Sequence, residues 1–319
     1  MVAGFPPRPA SAQSSPAQGW PNRFVRLVVP FPPGGGTDAI ARVLSGKLSD
    51  VWGQQLVIEN RGGGATNIGT EAVVRSDPDG YTMLFQSMPL AVNRFLFPSL
   101  SFDAATDLAP VVLLCEYPNI MAVPITSQAH SVMDFIANAK ANPGKVTFAS
   151  SGHGTSVHLS GELFKRMAGI EMMHVPYRGA GPAMADMIGG QIQYMCSNTP
   201  GALPQIQGGT VKAIALLARG RSQLMPELAT AHEQGLADFE ANAWSGLFLP
   251  NGTPAAIVST LNLAASETMD SKAVQDRMHE LGATLVGADR RSSEYLQLLV
   301  EREIAKWGPA IKAAGISAD

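Results

Sequence analysis

Apolar positions along this chain switch repeatedly between two spacings. Residues 24–31 form an apolar run with valines, interrupted by Arg26, that reads as a strand. Residues 39–51 then place Ile40, Val43, Leu44, Leu48 and Val51 on one helical face, and residues 55–59 return to strand character. Strand, helix and strand in that order predict a β-α-β unit with a parallel pair. A helix is expected over 69–75, a tight turn at Asp77-Pro78-Asp79-Gly80 and a strand over 81–86. The alternation resumes mid-chain with a strand at 145–149 and a helix carrying Leu159, Leu163 and Met167. A strand at 171–175, a helix at 182–188 and strands at 191–195 and 213–217 follow. Residues 244–250 read as a strand re-entering the first unit, and helices over 254–269, 271–281 and 292–314 complete the chain. The pattern predicts two α/β lobes, each a mainly parallel sheet flanked by helices. Lobe one is expected to take residues 23–122 plus 244–319 and lobe two residues 123–243.

Two of these strand-to-helix junctions share an unusual build. RLVVPFPPGGGTDAIARVL and KVTFASSGHGTSVHLSGELF each pass from an apolar strand through a loop rich in glycine and hydroxyl groups into an amphipathic helix. Gly34, Gly35 and Gly36 in the first, and Gly152 and Gly154 in the second, lack the bulk that would keep a ligand from the backbone N–H groups where a helix begins. The helix dipole favours negative charge there. One such loop is common, whereas two in one chain point to an anion held between them.

Composition narrows the function classes. The 319 residues are 45% hydrophobic and 15% charged, with a formal net charge of −3. That balance gives no electrostatic footprint for nucleic acid, and no apolar run approaches the roughly 18 to 20 residues of a membrane span. Residues 1–22, rich in Pro, Ala, Ser and Gln, read as a disordered lead-in. Within it Ala10-Ser11-Ala12-Gln13 has the small residues of a secretory cleavage site, without the basic and apolar regions that precede one. Cys115 and Cys196 have neither CxxC nor metal-ligand spacing; two buried thiols are expected, with a disulfide possible.

Enzyme readings compete for the same loops. Gly34 to Ala39 satisfies GxGxxA, and Glu59 ends the next strand about 20 residues on, as a ribose-binding acid would; a nucleotide-dependent oxidoreductase is therefore an alternative. Against it stand Pro30, Pro32 and Pro33, which extend the lead-in where the fingerprint turns at once, and the second loop, which a dinucleotide does not require. No Gly-Lys-Ser/Thr follows either loop, so the phosphate-loop reading fails. Ser150, Ser151, His153, Thr155, Ser156 and His158 crowd one loop, but no GxSxG elbow and no assignable acid make them a triad; His158 reads as a capping or packing residue. The remaining histidines are scattered, so no metal site is expected.

The segments RLVVPFPPGGGTDAIAR, VIENRGGGATNIGTEAV, DPDGYTMLF, ANPGKVTFASSGHGTSVHLSGELFK, HVPYRGAGPAMADMIGGQIQ and WSGLFLPNGTPAAIV, in this order, resemble the Bug family of extracytoplasmic solute-binding receptors that serve tripartite tricarboxylate transporters. Each motif is weak alone, and their succession is specific. The resemblance implies a type II-like periplasmic binding protein that closes two lobes over a small carboxylate, either a di- or tricarboxylate or an aromatic one. It also implies a secreted, monomeric, non-catalytic protein with no cofactor that delivers its cargo to separate permease subunits; a receptor feeding a signalling partner is the other non-enzymatic reading. Carried over by matching motif, Pro33, Gly34, Gly35, Gly36, Thr37 and Asp38 grip a ligand carboxylate from lobe one. The loop from Ser150 to Ser156, through Ser150, Ser151, His153, Gly154 and Thr155 above all, does so from lobe two. For Thr37 or Asp38 a plain helix N-cap is the competing role. Tyr177, Gly179 and Gly181 shape the pocket wall, with Arg178 solvated. Ser197 and Asn198 stand where many relatives have an Asp-Asn pair, and the loss of that acid favours a plain carboxylate over an amino acid. Thr66 and Ser87 are candidates for the distal wall, together with Ala65 and Met88.

Overall fold

The computed structural model describes residues 19–313, 315 and 316. The Ala10 to Gln13 stretch lies outside the described residues. The lead-in does not extend to residue 22, however. Trp20 is buried edge-on between Trp52 and Tyr81, with ring centroids 5.4 and 6.2 Å away. Asn22 Oδ1 accepts a hydrogen bond from the Tyr81 hydroxyl at 2.8 Å. A lone Trp in polar sequence carries no periodicity, so its anchoring is invisible to a pattern reading.

The elements run β1 (Val25–Val29), α1 (Gly36–Trp52), β2 (Leu56–Asn60), α2 (Asn67–Val74), β3 (Thr82–Gln86), α3 (Pro89–Leu96) and the long β4 (Leu108–Pro124). They continue with α4 (Val132–Ala141), β5 (Val146–Ser150), α5 (Ser156–Ala168), β6 (Met172–Pro176), α6 (Ala180–Ile188), β7 (Tyr194–Asn198), α7 (Thr199–Gln207) and β8 (Val211–Leu216). The chain closes with β9 (Asn242–Pro250), α8 (Ala255–Asp270), α9 (Lys272–Glu280), β10 (Thr284–Leu285) and α10 (Ser293–Ala313). The strands pair in the order β2-β1-β3-β9-β4-β7-β5-β6, with β10 and β8 also on β4.

Two parallel triplets, β2-β1-β3 and β6-β5-β7, form the two lobes. The antiparallel strands β4 and β9 join them. Residues 108–118 of β4 pair with β9, and from Asn119 onward the same strand pairs with β7 and β8. Three register shifts along β4 accommodate the bend. The sheet is therefore mixed, more so than its parallel helix-crossover units suggest. This is the two-lobed α/β periplasmic binding architecture.

Helices cover both faces of each lobe. In lobe one, Ile40, Leu44 and Leu48 of α1 share a buried cluster with Ile257, Leu261 and Met269 of α8. On the opposite face Leu90, Val92 and Leu96 of α3 meet Leu296, Val300 and Ile311 of α10. In lobe two, α4 and α5 pack one face and α6 and α7 the other. Burial on both faces explains the apolar runs of β1 (VRLVV) and β3 (TMLFQ), since a strand covered on both sides needs no polar alternation. Among the described residues no helix is long and apolar enough to cross a membrane. Cys115 and Cys196 are both buried and unbridged, and burial pushes the Cys196 thiol up to about 12.

Candidate ligand-binding cleft

Helix N-termini from both lobes converge on one cavity. Its wall takes Gly35, Gly36 and Thr37 from the start of α1, Thr155 and Ser156 from the start of α5, Ala180 from the start of α6 and Asn198 from the N-cap of α7. Ser87, Ser151, Phe31, Pro32 and Tyr117 complete it. Every helix leaves its first N–H groups without intrahelical partners, so the cavity collects such donors from four helices, together with the positive ends of their dipoles. This inner cavity is tight, about 20 Å³. It lies beside a wider cavity of about 770 Å³ lined by residues 30–33, Asn60, residues 62–66, Ile68, Phe97, residues 151–153 and residues 176–179. Among the described residues that line the two cavities there is no Asp or Glu, and Arg178 is the one Lys or Arg. A separate apolar cavity of about 320 Å³ between α5 and α10 presents helix sides and no helix N-terminus.

The polar groups of the inner cavity are held from behind. Asn198 Nδ2 donates to Asn119 Oδ1 at 2.6 Å and to Ser156 Oγ at 3.0 Å, which leaves its own Oδ1 uncommitted. Asn119 is fully buried where β4 changes partners, and its Nδ2 donates to Ser160 Oγ at 2.8 Å. The Tyr117 hydroxyl meets Ser245 Oγ at 3.1 Å. The Ser87 backbone N–H donates to Gln86 Oε1 at 2.8 Å, while Gln86 Nε2 donates to Thr70 and Thr66 hydroxyls. Thr66, with φ 78°, and Ala65, with φ 53°, hold left-handed backbone that L residues seldom adopt. Such strain is tolerated where the surroundings over-determine it, and here Ala65 O is pinned by Asn93 Nδ2 at 2.7 Å.

Asp38 has a supporting role. The α1 N-cap is Gly35, with no side-chain cap, so neither Thr37 nor Asp38 fills that position. Asp38 is buried three residues later and reaches back, its Oδ2 accepting from Gly34 N–H and Arg42 Nε and its Oδ1 from Asn60 Nδ2, each at 2.9 Å. Burial alone would raise its carboxyl pKa; the bonds from Arg42, Gly34 and Asn60 outweigh burial and hold it below its ordinary value. Its charge thus fixes the glycine loop and faces neither cavity.

The lobes meet across the cleft through glycines. A Cβ added to Gly179 would lie 2.8 Å from Pro32 Cγ, one on Gly36 would lie 2.8 Å from Gly201 N, and one on Gly154 would collide with Asn93 Oδ1 of α3. Gly154 and Gly179 also have φ +71° and +116°, which favour glycine on their own account.

Of the residues named from sequence, Gly35, Gly36, Thr37, Ser87, Ser151, Thr155 and Asn198 line the inner cavity. Pro33, Thr66, His153, Tyr177 and Gly179 line the outer one, with Ser151 shared between them. Gly34, Asp38, Ser150, Gly154 and Ser197 line neither. Ser150 is buried and bonded to His174 Nε2 at 2.7 Å, and Ser197 is buried in β7 against β4. Ser156, which ends the second loop, also lines the inner cavity, whereas Tyr117 and Ala180 were not singled out as ligand contacts. Tyr117 sits in a strand without legible period, and Ala180 opens α6 two residues before the helix that the sequence pattern predicts.

Glu59 does not serve as a ribose acid. It lies 3.8 Å from Arg26 and 3.7 Å from Arg61, and it is the neighbouring Asn60 that reaches the first loop. His158 is buried, its Nδ1 accepting from Gly154 N–H at 3.3 Å, with no carboxylate bonded to it. The expectation of scattered histidines fails, because the fold gathers His153, His158 and His174 with ring nitrogens within 4.8 Å of one another.

The sequence profile of the tripartite tricarboxylate transporter family receptor, TctC, matches residues 40–316. The chain belongs to this family. It is 37% identical to protein BugT of Bordetella pertussis over 309 residues, 96% of this chain and 92% of that one. Among solved structures it resembles MatC from Rhodopseudomonas palustris with bound malate, at 33% identity and a TM-score of 0.88, covering 92% of this chain and all of that one. It also resembles R. palustris Rpa4515 with adipate, at 35% identity and a TM-score of 0.90, covering 93% and 99%. TctC receptors act in the periplasm as solute-binding components of a transporter, not as catalysts, and the nucleotide-dependent oxidoreductase reading is set aside.

Proposed function

We propose that this receptor takes a small dicarboxylate, working as a monomer whose lobes, residues 23–122 with 244–319 and residues 123–243, close over the cargo before it passes to membrane permease subunits. One carboxylate sits at the inner cavity against the N-termini of α1, α5, α6 and α7. The carbon chain and second carboxylate extend into the outer cavity, toward Arg178. The observation that carries this reading is the convergence of four helix N-termini on a cavity with no acidic lining residue.

Magnitudes agree with an anion. Each terminus contributes about 0.3 to 1 kcal/mol, and up to ~2 where partly buried. Charge-assisted hydrogen bonds add roughly 1.5 to 3 kcal/mol each. Micromolar affinity requires about 8 kcal/mol, within reach of four or five such contacts shared between the lobes, even after the entropy of binding. An ammonium group would meet the wrong end of every dipole, and no lining acid compensates. The two R. palustris relatives hold malate and adipate, both dicarboxylates, which supports the same class here.

The test is a thermal-shift panel of mono-, di- and tricarboxylates, aromatic carboxylates, acidic amino acids and dinucleotides. At 100 times its dissociation constant a ligand stabilises the fold by roughly 2.7 kcal/mol. The reading predicts stabilisation by dicarboxylates first. Stabilisation by acidic amino acids alone, or by a dinucleotide, would overturn it.

A further inference from the structure

We infer that His153, His158 and His174 form a binding site for a divalent transition metal ion, of the zinc, nickel or copper type, in the wall of the cleft. The three come from two segments that meet only in the fold. His153 lies in the loop before α5, His158 in the first turns of α5, and His174 on β6, paired in register with Phe148 of β5. One nitrogen from each lies within 4.8 Å of the others. The His153 ring stands nearly perpendicular to both partners, at 77° and 87°, with centroids 5.3 and 5.2 Å away. Its Nδ1 is buried with no hydrogen-bond partner. A buried imidazole nitrogen without a partner carries a desolvation cost that a metal–nitrogen bond removes.

The donor set suits borderline metals, which imidazole prefers, and not calcium or magnesium, which prefer oxygen. A metal requires neutral imidazoles, and burial disfavours the charged form of both His158 and His174. The charge of Lys165 acts on this pair, and Glu162 is paired with it at 2.9 Å. Capture is not free of rearrangement. A metal lies in the plane of each imidazole that binds it, and His158 and His174 are stacked with planes only 21° apart. One of them must turn, giving up either the 3.3 Å bond from Gly154 N–H or the 2.7 Å contact with Ser150 Oγ. The nitrogens must then draw in to about 2.0–2.1 Å from zinc. Three protein ligands leave a fourth position open. Since His153 lines the outer cavity, the ion borders the cleft.

The inference does not depend on which cargo the cleft takes. It is tested on the tag-free full chain by calorimetric titration with zinc chloride and by the visible absorption of added cobalt(II), without any carboxylate. The parent should bind one equivalent at micromolar affinity and give the cobalt spectrum of a low-coordinate nitrogen site. His153→Gln, at the half-buried position, and His174→Gln should each weaken zinc by at least about tenfold to a hundredfold, the range seen when even a supporting group around a metal is lost. His130→Gln, at the exposed His130, should leave binding unchanged. Matching melting curves for parent and His153→Gln separate ligand loss from misfolding. No saturable binding by the parent, equal binding in His153→Gln and His174→Gln, or an equal loss in His130→Gln would overturn the site.

Discussion

Replacing Gly36 with alanine probes the step in which the lobes close. Gly36 is the first helical residue of α1, outside the left-handed region, so lobe one alone has no reason to reject a methyl group there; alanine should gain about 0.5 to 1 kcal/mol of helix preference. Across the cleft, however, that methyl would lie 2.8 Å from Gly201 N, 3.0 Å from Pro200 Cβ and 3.2 Å from Pro200 C. These are backbone and ring atoms at the start of α7, which cannot rotate away as a side-chain tip could. The two helix ends must move apart by a few tenths of an ångström, and overpacking of this kind costs about 1 to 3 kcal/mol. Because the penalty falls on the closed state, it appears as affinity. At 1.4 kcal/mol per tenfold, a carboxylate that the parent binds should bind about 5- to 150-fold more weakly, while the unliganded melting temperature stays level or rises slightly. Calorimetry on parent and variant, with a melting curve of each, makes the comparison. Affinity within twofold of the parent, or a melting temperature that falls while affinity holds, would refute closure at this contact.

Other expected outcomes follow from the support of the cleft. Asp38→Asn should destabilise the fold by about 1 to 3 kcal/mol, since an amide cannot accept all three bonds that the carboxylate receives, although the exposed Arg42 contributes only a screened share. Because the native carboxyl is held below its ordinary value, this stabilisation is complete above the unfolded pKa of about 3.9 and is lost as pH falls through the lower folded value. Denaturant melts should therefore show the gap between parent and variant narrowing below about pH 4, and a gap that widens there would contradict the sign. Arg178→Gln should weaken a dicarboxylate by about 1 kcal/mol, roughly fivefold, with an effect that shrinks as salt rises, and should leave a monocarboxylate nearly unaffected; equal losses for both would move the second carboxylate elsewhere. Asn119→Ala, which strips support from Asn198 and two serines, should cost about 1 to 3 kcal/mol of stability by denaturant titration and weaken carboxylate binding as well; an unaltered affinity would show that Asn198 needs no anchoring.

Much of the fold was legible because both lobes repeat one local device. The β1 to α1 and β5 to α5 junctions combine a valine- or phenylalanine-bearing strand with a glycine loop and a periodic helix, and each property is local. The crossing strand β4 was not legible. Its sequence LAPVVLLCEYPNIMAVP has no period-two alternation, because its side chains are buried on both faces, and Pro110 and Pro118 argue against a strand. α7 was hidden for a related reason: Pro200, Gly201 and Pro204 oppose helix propensity, yet Pro200 occupies the first turn, where a missing N–H costs nothing, and tertiary packing holds the rest. The inner cavity was therefore half readable. Its α1 and α5 walls were seen, whereas Ala180 and Tyr117 needed knowledge of which helix ends and which strand face each other. The histidine cluster depends wholly on the pairing of β6 beside β5, which no spacing of five and sixteen residues encodes.

The central claim is that the cleft recognises negative charge at converging helix N-termini. Calorimetric titration of the purified chain with a dicarboxylate and with the diamide of the same carbon skeleton tests it most directly, since the two share size and shape, and the diamide lacks the charge and turns one acceptor of each end group into a donor that helix N-termini repel. Micromolar binding of the dicarboxylate with no measurable binding of the diamide is the predicted result; comparable affinity for both would show that shape, and not charge at the helix ends, governs recognition.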